Sequence, residues 1–358
     1  MLRTSHEWID KLAAKSMVIA NMQLETVINN VELRTEAFNL ANCDIHCQLI
    51  ARAIDELVNN NFSSAKDARN LLCNLFGRNV YGCFAELAAY DWLARCHVRI
   101  ATQISMPPSD VLSKNGSTLD GQIDLYDHYF DVKAFGSNGR LAQLLKERLA
   151  EATPDEQVIV EESWDISFET FSDLIRSAPD IAIELKEKRM VKYDRLCIRL
   201  EAKKLISVTA RNIDPYYLAK ENALYPFKDA GQFTKTSPFI LIFVIHPWFN
   251  ACSIQSDFAG VDTNFTRSLA RRAFMQFSTD STPLNSICEN VPSSITIGDA
   301  SRLLSAIFFV NVWPLSDVPS WLYLNPRATH RITRGQLNSY RASNPHNTYI
   351  DDFADDDY

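Results

Sequence analysis

Apolar residues recur at helical spacing through the first part of the chain. Leu12, Met17, Ile19, Met22, Leu24, Val27, Ile28 and Val31 give one stripe, and Ile45, Leu49, Ile50, Ala53, Ile54 and Leu57 give another. Ser63 or Ser64 is placed to cap a further helix running through Leu71, Leu72 and Leu75. These patterns predict an N-terminal helical subdomain over residues 1–77. The next helix, Tyr81 to Cys96, is apolar on nearly every side, as expected of a helix packed between other elements. Glu86 is its only acid before Asp91. A carboxylate buried there calls for a cation or a cationic neighbour, with Arg95 or Lys133 as the bland partners.

Beyond Val98 the period changes from helical to alternating. A strand around Val98 to Ile104 leads through Pro107-Pro108 to Leu119–Gly136, which reads LDGQIDLYDHYFDVKAFG. Asp127-His128 is the polar pair between two runs rich in β-branched and aromatic residues, so a hairpin turn is expected there. Counting outward, Leu125 faces Phe130, Asp124 faces Asp131, Ile123 faces Val132 and Gln122 faces Lys133. Alternation then places Asp120, Gln122, Asp124, Asp131 and Lys133 on one face and Ile123, Leu125, Phe130 and Val132 on the other. Two facing carboxylates beside one ammonium repel unless a cation joins them or one holds a proton.

After Gly136-Ser137-Asn138-Gly139 the pattern predicts a helix from Arg140 to Ala150 and a strand from Gln157 to Val160. That strand is expected to pair in parallel with the hairpin's second strand through a right-handed crossover. A helical stretch to Met190 follows, then a long strand Tyr193–Val208, a strand Pro238–Ile245, a helix Asn264–Phe277, and strands Ala306–Trp313 and Trp321–Leu324. Within the long strand, Asp194, Glu201 and Lys203 repeat the hairpin's acid, acid, lysine spacing. On one continuous strand they would lie roughly 23 Å apart and could not share an ion.

Glu86, Asp124 and Asp131-Val132-Lys133, with the hairpin between the two aspartates, resemble the active-site signature of the PD-(D/E)XK nuclease superfamily. Ile123 stands where that family usually has proline. The resemblance covers roughly Val80 to Val160. It implies an α/β fold with a restriction-endonuclease-like mixed sheet flanked by helices, here a core over residues 78–345 with a C-terminal extension, followed by an acidic tail over 346–358. It further implies that Glu86, Asp124 and Asp131 hold Mg²⁺, for which Mn²⁺ can substitute, with the Val132 carbonyl as an extra ligand and Lys133 orienting the attacking water. The activity implied is an endonuclease of restriction or phage-defence type, acting on DNA, with RNA as the alternative substrate and a defence-system protein as a candidate partner. A rival from another class is a non-catalytic binding or assembly subunit that keeps the nuclease-like core.

Composition narrows this picture little. The 358 residues are 46% apolar and 22% charged, typical of a globular protein with ample core. The N-terminus carries too much charge for a signal peptide and no run reaches membrane-spanning length, so a cytoplasmic location without membrane contact is expected. The net charge of −8 means that any nucleic-acid face must be local. Arg267, Arg271 and Arg272 on one helix and Arg327, Arg331 and Arg334 near the end are the candidates for phosphate contact, with Arg341, His330 and Tyr340 close by. The eight cysteines contain no CxxC pair, and Cys43-Asp44-Ile45-His46-Cys47 supplies too few convergent ligands for structural zinc. His246 ends a strand, where a structural hydrogen bond is the expected role. Cutting both strands of a duplex calls for two sites, so a homodimer is expected, with the N-terminal apolar stripes as its interface.

Overall fold

The computed structural model describes residues 1–356 apart from 34, 78, 124–126, 136–137, 162–167, 194–195, 203–214, 246–260, 313–319, 334 and 337–347. Two compact units emerge. The larger comprises Met1–Ala134, Ala223–Ile245 and Thr266–Tyr358, and the smaller comprises Phe135–Asn222 and His246–Phe265. The N-terminal helices thus belong to the same unit as the main sheet.

In the larger unit, helices α1 (Ser5–Ala13), α2 (Met17–Asn21), α3 (Thr35–Ala41), α4 (Asp44–Asn59), α5 (Ala65–Leu75) and α6 (Val80–Arg95) precede the strands. Their starts follow local chemistry. Thr4 and Glu7 form a reciprocal capping box on α1, and Ser64 accepts the Asp67 N–H at the start of α5. The first apolar stripe is not one helix. It breaks where Ser16 caps α2 and again at Gln23, whose φ is 51°. Leu12, Ile19 and Leu24 are buried, while Met17, Val27 and Val31 remain exposed. The second stripe, on α4, buries Leu49, Ile50, Ala53, Ile54 and Leu57. Cys47 contacts the Leu40 and Ala41 carbonyls and His46 lies edge-on to Phe84, so the Cys43–Cys47 segment is ordinary helix packing.

Helix α6 is the central packing element of this layer. Asn79 caps it by accepting the Gly82 N–H, and a Cβ at Gly82 would lie 2.2 Å from the Asn79 side chain. Asp91, fully buried, takes both Arg52 of α4 and Arg95 one turn on, a paired charge cluster that ties α4 to α6. Arg95 is therefore committed to Asp91. On the sheet side, Trp92 meets Phe308 with ring centroids 4.4 Å apart, and Tyr90 meets Phe130 at 6.4 Å.

The sheet has the order β1-β2-β3-β7-β8-β9-β10, with β1 Ile100–Met106, β2 Ser117–Ile123, β3 His128–Phe135, β7 Phe239–Ile245, β8 Leu304–Asn311, β9 Ser320–Leu324 and β10 Tyr349–Asp351. Strands β1, β2 and β3 form an antiparallel meander, β7 and β8 are parallel, and β9 returns antiparallel. Every residue of β7 and β8 is buried, which is why β7 reads as an unbroken apolar run and β8 as one interrupted only by Ser305 and Asn311. The fold is α/β with a mixed seven-stranded sheet flanked by helices.

The smaller unit contains helices α7 (Asn138–Ala152), α8 (Phe168–Arg176) and α9 (Ala178–Lys188) and a three-stranded antiparallel sheet of β4 (Glu156–Glu161), β6 (Leu196–Ala202) and β5 (Met190–Tyr193), in that order. Leu145, Leu149, Val158, Phe171, Ile181, Leu185, Val191 and Ile198 form its core. Two expectations are corrected here. The strand expected over Gln157–Val160 does not pair with β3; it is β4, antiparallel to β6, while β7 lies beside β3. Of the run expected to be one strand from Tyr193 to Val208, Tyr193 ends β5 and pairs with Leu196 at the start of the antiparallel β6, while residues 194–195 and 203–208 lie outside the described residues. An apolar strand pattern does not reveal a tight reversal when both arms share the same period.

Part of the acidic C-terminal segment takes part in the fold. Tyr349–Asp351 is a sheet strand parallel to β9, and Phe353 is fully buried among Phe274 and Tyr323. No helix among the described residues is long and apolar enough to cross a membrane.

Candidate active site

Between β2 and β3 the observed register pairs Gly121 with Phe130, Gln122 with Tyr129 and Ile123 with His128. The expected partners of Gln122 and Ile123, Lys133 and Val132, are displaced by four positions. A two-residue type I′ turn at Asp127-His128 needs positive φ at both residues. Asp127 has it, at 51°, but His128 is a buried strand residue already paired with Ile123. The Phe130 ring sets the register. It lies over Gly121, where a Cβ would come within 2.3 Å of the ring and 2.8 Å of the Ala101 carbonyl oxygen. Four is an even displacement, so the same residues still share a face, whereas a slip of one would have inverted both.

Continuing this register by one residue sets Asp120, not Asp124, across from Asp131. Asp124 lies outside the described residues. The Asp120 carboxylate accepts the Val132 N–H at 2.7 Å and lies within hydrogen-bonding reach of Asp131. Asp131 is 1% exposed; its Oδ2 is 2.7 Å from Lys133 Nζ, and its Oδ1 accepts from Gln232 Nε2 at 2.9 Å. Lys133 also pairs with Asp229, whose Oδ2 is 3.9 Å away, and feels the Asp120 charge.

Local backbone departs from ideality beside Asp120. On β1, Thr102 pairs with Gly121 and Ile104 with Leu119, but Gln103, between them, has a φ of 55° and drops out of the ladder. The Asp120 carbonyl accepts instead from the Tyr90 hydroxyl of α6 at 2.8 Å, and the same hydroxyl meets the Gln103 side chain. A non-glycine residue in the left-handed region inside a strand costs of order 1 kcal/mol or more, and such residues concentrate at functional sites.

The electrostatics are those of crowded acids. Burial first, then the Asp131 charge, pushes Glu86 up to about 7. Burial and the neighbouring Asp131 and Glu86 hold Asp120 well above the usual carboxylate range, against the Val132 N–H. Burial raises Asp131 even though Lys133 pulls the other way. Lys133 is held above its ordinary value: burial opposes this, but Asp131 and Asp229 outweigh it. Asp131 is buried while Glu86 and Asp120 are half-buried, and the Asp131 charge opposes ionisation of both neighbours.

That crowding bears on metal binding. Among the described residues no three His, Cys, Asp or Glu side chains stand as a ready-made ion cage. Glu86, Asp120 and Asp131 are nevertheless hard oxygen donors gathered near one lysine, the donor chemistry that Mg²⁺ selects. The residues fit a divalent cation; those that would hold it are Glu86, Asp120 and Asp131, with the Val132 carbonyl as an adjacent backbone donor.

The arginines proposed for phosphate contact fare differently. Arg267 contacts Asp351 at 2.5 Å and Asp356 at 2.5 Å and lies over the Phe353 ring, while Arg271 holds Asp356 at 2.6 Å. Both are engaged by the C-terminal acids. Arg272 bonds Gln276, Arg327 is exposed and reaches Ser278 Oγ at 2.6 Å, and Arg331 is exposed. Arg334, Arg341 and His246 lie outside the described residues.

Asp120 as the acid opposite Asp131, together with Gln232, Asp229, Tyr90 and Gln103, was not selected from sequence. The signal for Asp120 was the Asp-Gly pair, since glycine inside a strand marks a close approach. Compared with family models, curated proteins and solved structures, the chain matches none of them.

Proposed function

We propose that the chain is a metal-dependent phosphodiesterase acting on nucleic acid, with DNA as the substrate, of restriction or phage-defence type. The observation that carries this reading is the buried Asp131, held between the Asp120 carboxyl and the Lys133 ammonium, with Glu86 arriving from α6. The order of helix α6, meander β1–β3 and neighbouring β7 supports the restriction-endonuclease-like form of the fold. In this reading Asp120 takes the part that the resemblance gave to Asp124. A bound Mg²⁺ would polarise the phosphoryl oxygen and steady the leaving oxygen. Lys133, released from full engagement with Asp131, would orient the attacking water, and Arg327 and Arg331 would meet the phosphate backbone. Cutting a duplex would use a homodimer.

Purified protein is incubated with plasmid, single-stranded DNA and RNA, with Mg²⁺ or with EDTA. Cleavage of DNA that EDTA abolishes is expected; cleavage of RNA alone reassigns the substrate. No cleavage of any of the three in Mg²⁺ or Mn²⁺ overturns the reading. The closed Asp131–Lys133 pair favours the second reading in that event, a non-catalytic nucleic-acid-binding subunit whose site is neutralised from within.

A further inference from the structure

The chain passes from Lys133 and Ala134 into the smaller unit and returns at Ala223. The segment on which it returns, Tyr225–Gln232, fastens along the end of β3. Tyr225 donates its hydroxyl to the Ala134 carbonyl at 3.0 Å, Asp229 stands 3.9 Å from Lys133, and Gln232 donates to Asp131 at 2.9 Å. Gln232 is itself held on both sides by backbone bonds: Ser113 N–H to the Gly231 carbonyl at 2.8 Å and Leu112 N–H to the Phe233 carbonyl at 3.1 Å. The Gly231 N–H meets the buried Cys288 sulfur at 3.3 Å.

We infer that Gln232 is a positioning residue for the active site, setting the rotamer of Asp131 so that one carboxylate oxygen is left for a divalent cation and for Lys133. This rests on the nuclease reading above and adds to it a residue that lies 101 positions beyond Asp131 in the chain. The chemistry is specific to an amide. A carboxamide N–H donates to the Asp131 Oδ1 and brings no charge, so it orients the acid without neutralising it. A lysine or arginine in its place would compete with the cation, and an acid would repel. Outer partners of this kind typically change metal affinity or activity about 10–100-fold when removed.

The test compares wild type with Gln232→Ala and the nearly isosteric Gln232→Glu. Three quantities are read on each: Mn²⁺ affinity by electron paramagnetic resonance of the metal alone, kcat and KM on plasmid, and thermal melting in EDTA. Both variants are expected to lose about 10–100-fold in kcat. KM for plasmid is expected to stay unchanged, because the side-chain bond of Gln232 goes to Asp131. Gln232→Ala weakens Mn²⁺ binding. Gln232→Glu melts lower in EDTA and gains more from Mn²⁺ than wild type does, a response that a space-filling side chain would not give. If both variants keep wild-type kcat and Mn²⁺ affinity, the inference is overturned while the nuclease reading stands. If the wild type itself neither binds Mn²⁺ nor cuts nucleic acid, both fall together.

Discussion

The charge around Glu201 and around Asp131 is settled differently, although in sequence Asp194, Glu201 and Lys203 repeat the spacing of Asp124, Asp131 and Lys133. Asp124, Asp194 and Lys203 themselves lie outside the described residues. In the smaller unit, Glu201 on β6 pairs with Gln157 across the ladder, and Arg199 contacts both Glu201 and Glu161. These side chains are 34–50% exposed, so water and a guanidinium satisfy each acid locally. In the larger unit, Asp131 is 1% exposed and pairs with Lys133, which Asp229 also contacts, while Asp120 and Glu86 stand near enough to feel the same charges. The comparison teaches that the spacing of charged residues is cheap, and that a crowded cluster around a buried acid is what marks a candidate site.

The largest expected effect separates the two acids. Asp131→Asn should lower cleavage at least about 10³-fold, the loss of several kcal/mol of charge stabilisation in the transition state, with little change in melting because local repulsion is relieved. Glu201→Gln should leave cleavage untouched and alter stability by less than about 1 kcal/mol. Equal cleavage by the two variants would place the chemistry elsewhere.

A second experiment sharpens the assignment around Asp131. Asp120→Asn and Asp124→Asn are assayed side by side on plasmid with Mg²⁺. The observed register predicts a loss of about 10²-fold or more for Asp120→Asn and a smaller one for Asp124→Asn. The reverse ranking would restore the two-residue turn as the functional register.

The pH dependence of stability should differ between wild type and Glu86→Gln. In the folded protein Glu86 titrates at about 7, above the ordinary 4.5 that it has in the unfolded chain. Between these values the folded state binds more protons, so its contribution to stability is fullest below 4.5 and is lost as pH rises through about 7. Metal-free wild type should therefore lose up to about 3 kcal/mol over that window relative to Glu86→Gln, measured by urea titration at fixed ionic strength. Parallel pH profiles would show that neither burial nor Asp131 raises Glu86. Buried His46 and His128, which titrate near 4, act in the opposite direction in both proteins and cancel in the difference.

The smallest effect concerns backbone strain. Gln103→Gly should raise stability by up to about 1 kcal/mol, since glycine adopts positive φ freely. A loss of stability would mean that the Gln103 side chain, through Tyr90, contributes more than its backbone costs.

Much of this molecule was written locally. Helix α6 and its lone early acid, the capping role of Ser64, the buried runs that became β7 and β8, and the partition of Asp120, Asp131 and Lys133 from Phe130 and Val132 all follow from periodicity. Periodicity repeats every two residues in a strand, so it fixes the face of a side chain without fixing its partner. That is why the faces survived a register displaced by four positions while Asp120 came to stand opposite Asp131.

What the tertiary structure alone decided is what meets across long intervals. The Phe130 ring over Gly121 chose the register, the segment returning at Ala223 brought Gln232 to Asp131, and the folded C-terminus claimed Arg267 and Arg271. None of these leaves a repeating trace in the chain, because each depends on a close contact between elements whose separation in sequence is arbitrary. The sequence by itself determined which residues turn toward one another's side of the sheet; packing determined which of them touch.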